Sequence, residues 1–280
     1  MNLMDYPRKE YSISQFARPK CFELAGSELF LVMDSGYDYI LRFTQDRVFW
    51  HIDGENEQEA EYMCFKGDDT TYFVSFEVSL QEDQTYVLDM SQRLVTQVLC
   101  KKGLNPKNRH IMDRKYIFGA IKLPGYRLPY KRHTFTCINQ GTTVQWRWAP
   151  ELFTKHAYLE STWYRITWDD DGEAAEDFDT TNEMLPSTDE HARFIKIKDN
   201  LILFSLTEEM EERCLGDIQH FRCDNLTLLQ NYDRMYHVGR GFGDGVVDGK
   251  PIHIRTPLCA YGSPIELPDE FLNAKNPFTV

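Results

Sequence analysis

The segment "KHAYLE" sets His156 and Tyr158 two residues apart. In an extended chain that spacing puts imidazole and phenol on one face, where both reach the same small molecule. Such a pair can donate or accept a proton, which is the work of general acid and base catalysis. The bland alternative is a core histidine whose nitrogens are satisfied by its neighbours. Just downstream, Tyr164 and Arg165 are adjacent and must face opposite ways, so only one of them enters the same space. Turned inward, Arg165 would clamp a substrate carboxylate; turned outward, it would make a surface salt bridge. Upstream, "TVQWRW" aligns Val144, Trp146 and Trp148. Two indoles at that spacing make a broad apolar wall, fit for a flat ligand or for plain core. His133 and His191 are further imidazoles able to join, with less definite positions.

Other chemistries find no template. No H-E-x-x-H, G-x-S-x-G or phosphate-cradling glycine-lysine motif occurs. The glycines of "GRGFGDG" lack the spacing and βαβ setting of a dinucleotide fingerprint, and read as a flexible turn closing a barrel. Seven cysteines, with no C-x-x-C pair, argue against a disulfide framework and a zinc site. Cys214 and Cys223 have no strongly basic surroundings that would make a thiolate nucleophile. The expectation is chemistry without metal or cofactor.

The elements that position these residues are strands. From Leu29 to Leu99, "YILRF", "VFWHI", "TYFVSFEV" and "TYVLDM" alternate at period two between polar turns, a meander of antiparallel strands. Alternation turns Tyr37, Tyr39, Leu41 and Phe43 to one face and Asp38, Ile40 and Arg42 to the other. The Pro-rich, basic passage from Leu104 to His133 reads as a linker. The same grammar then resumes in "TVQWRW", "KHAYLE", "WYRITW", "ARFIKIK", "LILFSLTEE", "LTLLQNY" and "RMYHVG". The second meander lies on the first as a repeat. Gly26 with Gly141, Leu31 with Trp146, Met33 with Trp148 and Phe49 with Tyr164 are each 115 residues apart, and Tyr39 with His156 is 117 apart. The separation grows to 130 at Ser75 and Ser205 and to 141 at Arg93 and Arg234. It grows across "DDDGEAAEDFDTTNEMLPSTDEH", a solvated acidic loop by composition, and again near "EEMEERCLGDIQHFRCDN". Two meanders leave open sheet edges unless each closes, and an eight-stranded barrel can hold one small ligand. The fold expected is all-β, two tandem calycin or lipocalin-like antiparallel barrels spanning residues 1–125 and 126–280.

A formal net charge of −13 repels phosphate backbones and anionic lipid alike, so neither nucleic acid nor a membrane is expected as a partner. The opening "MNLMDYPRKEY" has no apolar run, and no later segment reaches membrane-spanning length, so a cytoplasmic protein is expected. The triplet Asn225-Leu226-Thr227 is a chance match to a glycosylation acceptor on that reading.

"SGYDYILRFTQDRVFWHIDG" in the first half resembles the first barrel of the molybdenum cofactor biosynthesis protein F-like (MoaF-like) family, double-barrel relatives of lipocalins and phenolic acid decarboxylases. The second half adds "RHTFT", "KHAYLE", "WYRITW", "IKIKDNLILFSLTEE" and "YDRMYHVGRGFG" in the family's order, so the resemblance covers about Gly26 to Gly243. It implies a calycin fold with a ligand pocket and little about chemistry. The decarboxylase branch is similar in outline but uses two tyrosines on the first strand, which fall here on Leu31 and Met33 and on Trp146 and Trp148. Phenolic acid decarboxylation is therefore not expected. The branch's strand glutamate is matched by Glu208, three residues after Ser205, whereas Glu77 in the first half falls one residue early. A carboxylate carried into an aromatic barrel has its charged form disfavoured, which suits acid and base work. At a wet strand end, beside Glu209, Glu211 and Glu212, it would do nothing.

These readings give two functions. The first is a cofactor-independent enzyme of isomerase, cyclase or lyase type. Glu208, His156 and Tyr158 would be its catalytic groups, and Trp146, Trp148, Tyr164 and Arg165 would bind a small hydrophobic or aromatic ligand. The second is a non-catalytic carrier using the same pocket. A structural subunit with no cavity is a third reading, and a homodimer is compatible with each.

Overall fold

The computed structural model describes residues 15–103, 112–150, 152–169, 187–207, 225–247 and 250–273. Its first sheet comprises β1 (Glu28–Met33), β2 (Asp38–Phe43), β3 (Arg47–Ile52), β4 (Gln58–Lys66), β5 (Thr71–Ser79), β6 (Glu82–Asp89), β7 (Leu94–Lys101) and β8 (Asp113–Lys122). Each pairs with the next, and β8 returns to β1 with Met33 opposite Gly119. The result is an up-and-down eight-stranded barrel of the lipocalin type, with no free edge.

The second sheet comprises β9 (Thr134–Phe135), β10 (Thr143–Ala149), β11 (Leu152–Ala157), β12 (Trp163–Asp169), β13 (Ser187–Lys198), β14 (Leu201–Leu206), β15 (Asn225–Asn231), β16 (Tyr236–Val247) and β17 (Lys250–Pro264). Strands β10 to β17 pair in order and β17 returns to β10, so a second eight-stranded barrel closes, with short β9 added beside β13. A short helix, α1 (Asp269–Asn273), follows. The expected pair of antiparallel calycin-like barrels is thus what the chain forms. The described residues of Arg18–Thr134 and Ile195–Leu201 make one compact unit. Those of Phe135–Phe194 and Ile202–Val280, and the described residues 15–17, make the other.

Alternation sets each interior. In the first barrel Leu31, Met33, Tyr39, Leu41, Phe43, Val48 and Trp50 are buried together, the inward half of each strand. Tyr37 departs from the expected face: it precedes β2, in the turn, and is exposed. Phe49 also departs, because β3 turns Val48 and Trp50 inward and leaves Phe49 under the Arg42 guanidinium, 4.1 Å from its ring centre.

Two segments differ from the sequence reading. The supposed linker contains β8, the strand that closes the first barrel. The glycines of "GRGFGDG" lie within β16 rather than in a turn. The reason is close approach: a Cβ on Gly239 would stand 2.0 Å from the Thr227 carbonyl oxygen on β15. Only glycine lets the two backbones pass so near.

Candidate active site in the second barrel

Strand β10 turns Val144, Trp146 and Trp148 into the second barrel, and all three are buried. Opposite Trp146 on β17 stands Gly262, where a Cβ would lie 2.7 Å from the indole, so the missing side chain makes room for the ring. Beside β10, strand β11 turns Thr154 and His156 inward, and Tyr158 follows on the same face. On β12 the inward residues are Tyr164 and Ile166, on β13 Glu190, Ala192 and Phe194, on β14 Ile202, Phe204 and Leu206. Strand β15 contributes Gln230 and β16 contributes His237, paired directly across the sheet.

These polar groups form one chain of contacts. Trp148 Nε1 donates to Thr154 Oγ1 at 2.8 Å, and Thr154 Oγ1 lies 2.9 Å from His156 Nε2. His156 Nδ1 lies 3.3 Å from the Tyr158 hydroxyl. That oxygen accepts from Trp146 Nε1 at 3.0 Å and from Gln230 Nε2 at 2.8 Å. With two donors already on its oxygen, the Tyr158 hydroxyl spends its own proton on His156 Nδ1. His156 then carries its proton on Nε2 and gives it to Thr154, so every nitrogen of that ring is used. Tyr232 donates to Gln230 Oε1 at 3.1 Å, fixing the amide.

Burial without a charged partner holds His156 down at a pKa of about 3, so it is a neutral imidazole at ordinary pH. The Tyr158 phenol is pushed up to about 12, chiefly by burial and against the hydrogen bonds that favour its anion. His237 stands well below the ordinary histidine range, through burial first and then the neighbouring His156. It stacks on Trp146, ring centres 4.3 Å apart, and meets Trp148 at 4.6 Å. Unlike His156, it is fully buried with both ring nitrogens lacking a hydrogen-bond partner.

An acid does lie within this barrel. Glu190 on β13 is 1 % exposed and accepts a short hydrogen bond from the Tyr164 hydroxyl. Tyr164 in turn touches the His156 ring, centres 4.9 Å apart.

Of the residues singled out from the sequence, Trp146, Trp148, His156, Tyr158 and Tyr164 are brought together here. Arg165 is not. It leaves the opposite face of β12, pairs with Asp189 at 2.7 and 3.0 Å, and donates to the Phe271 and Leu272 carbonyls of α1. Its position follows from adjacency to Tyr164: with the phenol inside, the guanidinium is outside. Glu208 lies outside the described residues, as do Cys214 and Cys223. His133 is buried in the first unit, its Nδ1 2.8 Å from Thr96 Oγ1, and His191 is exposed. Sequence reasoning missed Thr154, Glu190, Gln230 and His237. The signal for His237 was the run His237, Gly239, Gly241 on one face, where two glycines clear space beside one ring.

Among the described residues no cluster of three or more His, Cys, Asp or Glu side chains could hold a metal ion, and no helix is long and apolar enough to cross a membrane.

No curated protein matches the chain in sequence. Among solved structures, one described as "Crystal Structure of a putative beta-lactamase from Burkholderia vietnamiensis" is similar at a TM-score of 0.31 and 12% identity, covering 38% of this chain and 98% of that one. Residues 11–102 match the family model described as the MoaF N-terminal domain. That stretch runs through β1 to β7, and it bears out, over those residues, the resemblance read in "SGYDYILRFTQDRVFWHIDG": the first barrel is similar to the MoaF N-terminal domain.

Proposed function

We propose that the second barrel binds one small, uncharged, flat or largely apolar molecule and reads it by hydrogen bonds to neutral imidazole. The observation that carries this is His237, buried between two indoles with neither nitrogen partnered. A neutral imidazole offers one N–H and one lone pair, and leaving each unpaired costs about 1–3 kcal/mol. A ligand presenting a matching acceptor and donor, such as a lactam, a phenol or an azole, would recover that cost. Charged ligands fit poorly, since the imidazoles here are neutral and burying an unpaired ion is costly.

Cofactor-independent proton transfer, of isomerase, cyclase or lyase type, is the second reading, and the Tyr164 and Glu190 contact favours it. A buried carboxylate joined to a phenol can pass a proton to a substrate held against the Trp146 and Trp148 wall. His156 is a poor base for that work, because a group with a pKa of about 3 holds few protons near neutrality. Its network with Tyr158 positions rather than reacts.

Native mass spectrometry of the full chain after exposure to a metabolite extract tests both. A retained mass that His237→Phe no longer retains supports the binding reading; equal retention by the variant refutes it. Conversion of the retained compound that stops in Glu190→Gln would establish the enzymatic reading, and unchanged turnover in that variant would end it.

A further inference from the structure

The first barrel carries a pair of thiols that the reading above does not use. Residues ahead of β1 run across one end of that barrel and are fastened there. Leu24 is buried in its core, Lys20 Nζ stands 3.5 Å over the Tyr62 ring, and Glu23 binds Lys66 Nζ at 2.9 Å and the Tyr72 hydroxyl at 2.7 Å. Within this segment the Cys21 amide donates to the Cys64 carbonyl on β4 at 2.8 Å. Both are free thiols, and the nearness of Cys21 is felt at the Cys64 thiol.

We propose that Cys21 and Cys64 are a site of reversible oxidation, whose disulfide locks the segment ahead of β1 across the end of the first barrel. Two cysteines joined by a backbone hydrogen bond stand at a backbone separation that a disulfide can span. Their accessibilities divide the work. Cys21 is half-buried and meets the oxidant, and Cys64 is fully buried beside it. Burial, then the nearness of Cys21, also holds the Cys64 thiol well above its ordinary range, so Cys21 rather than Cys64 is the thiol that meets the oxidant first.

With hydrogen peroxide the step balances as follows. The Cys21 sulfur attacks one peroxide oxygen, the O–O bond breaks, and a sulfenic acid and hydroxide form; the hydroxide takes the thiol proton as water. The Cys64 sulfur then attacks the sulfenic sulfur, and hydroxide leaves with the Cys64 proton as a second water. Two electrons pass from the sulfurs to the peroxide. An odd cysteine count argues against a permanent framework and is consistent with one switchable pair.

The test treats the full chain with hydrogen peroxide, blocks remaining thiols with iodoacetamide, and maps the tryptic peptides. Residues 21–42 and 48–66 are separate peptides with one cysteine each. The expected product joins them, lighter by two hydrogens than their sum, reverts with dithiothreitol, and raises the unfolding midpoint by about 5 °C. Cys21→Ser abolishes all three changes, and Cys137→Ser, at an exposed thiol, leaves them intact. Cys21 overoxidised with Cys64 still alkylatable would overturn the proposal. So would either thiol linked to a different cysteine, or both left free while Cys137 oxidises.

Discussion

Replacing His237 with phenylalanine should make the ligand-free protein more stable while removing its grip on ligand. The imidazole has an unpaired donor and an unpaired acceptor in a fully buried site, each costing about 1–3 kcal/mol, or roughly 2–6 kcal/mol together. Phenyl keeps the stack on Trp146 and Trp148 but is slightly larger, in a slot bounded at 4.3 and 4.6 Å, so overpacking returns about 1–3 kcal/mol. The net expectation is a gain of about 1–3 kcal/mol. Urea unfolding followed by tryptophan fluorescence reads it, because Trp146, Trp148, Trp163 and Trp168 all belong to the second barrel and Trp50 alone to the first. The transition should move to higher urea at unchanged slope. Acid sharpens the comparison. His237 has its folded pKa depressed by burial, so the unfolded chain takes up a proton there that the folded chain refuses. Wild-type stability is therefore full above about pH 6.5 and declines below it, by about 1.4 kcal/mol per pH unit for each such histidine. The variant lacks one of these protons, and its advantage must widen as pH falls below 6.5. A loss of about 2 kcal/mol in the variant, or an advantage that shrinks with acid, would show that the ring nitrogens are structural and refute the reasoning.

Tyr158→Phe strands the Trp146 and Gln230 donors and the His156 nitrogen that shared its oxygen, and should cost about 2–4 kcal/mol by the same fluorescence assay; a loss below about 0.5 kcal/mol would contradict the network. His156→Gln should flatten the decline in stability between about pH 6.5 and 4.5, since His156 is depressed to about 3 and its protonation is lost with the ring; an unchanged slope by urea titration across that window would show that His156 is not the neutral group described. Arg165→Met leaves Asp189 buried without its counter-charge and should cost about 3–5 kcal/mol, with faster amide exchange in α1, whose carbonyls Arg165 also holds; slow exchange there would mean that α1 is held by other contacts.

The strands were legible because a closed barrel writes its inward face at period two, and Val144, Trp146 and Trp148, or Tyr39, Leu41 and Phe43, read that way without a structure. Single-residue errors cost more than missing elements. Aligning Phe49 with Tyr164 joins an outward ring to an inward one, since a slip of one residue exchanges the faces. The same slip recurs at the turns: Arg93 and Met235, not Arg234, are the residues that share a positive φ, at 57° and 46°. Ser75 and Ser205 do correspond, both buried on the outer side of their strands. β8 was hidden because prolines crowd its C-terminal flank, and β16 because glycine has no side chain to show alternation.

The acid inside the second barrel was the hardest element to see. Glu190 sits in a stretch whose composition reads as a solvated acidic loop, yet β13 runs through its end and pairs Glu190 with Tyr164. Averaged composition cannot separate a carboxylate facing water from one facing a barrel, because both lower the local hydropathy equally. What separates them is the partner across the sheet, which occupies the same face. Tyr164 enters the barrel, so Glu190 must enter beside it, and Arg165 and Asp189, one step along each strand, must leave together. One register therefore decides which acid is available for chemistry and which arginine is not.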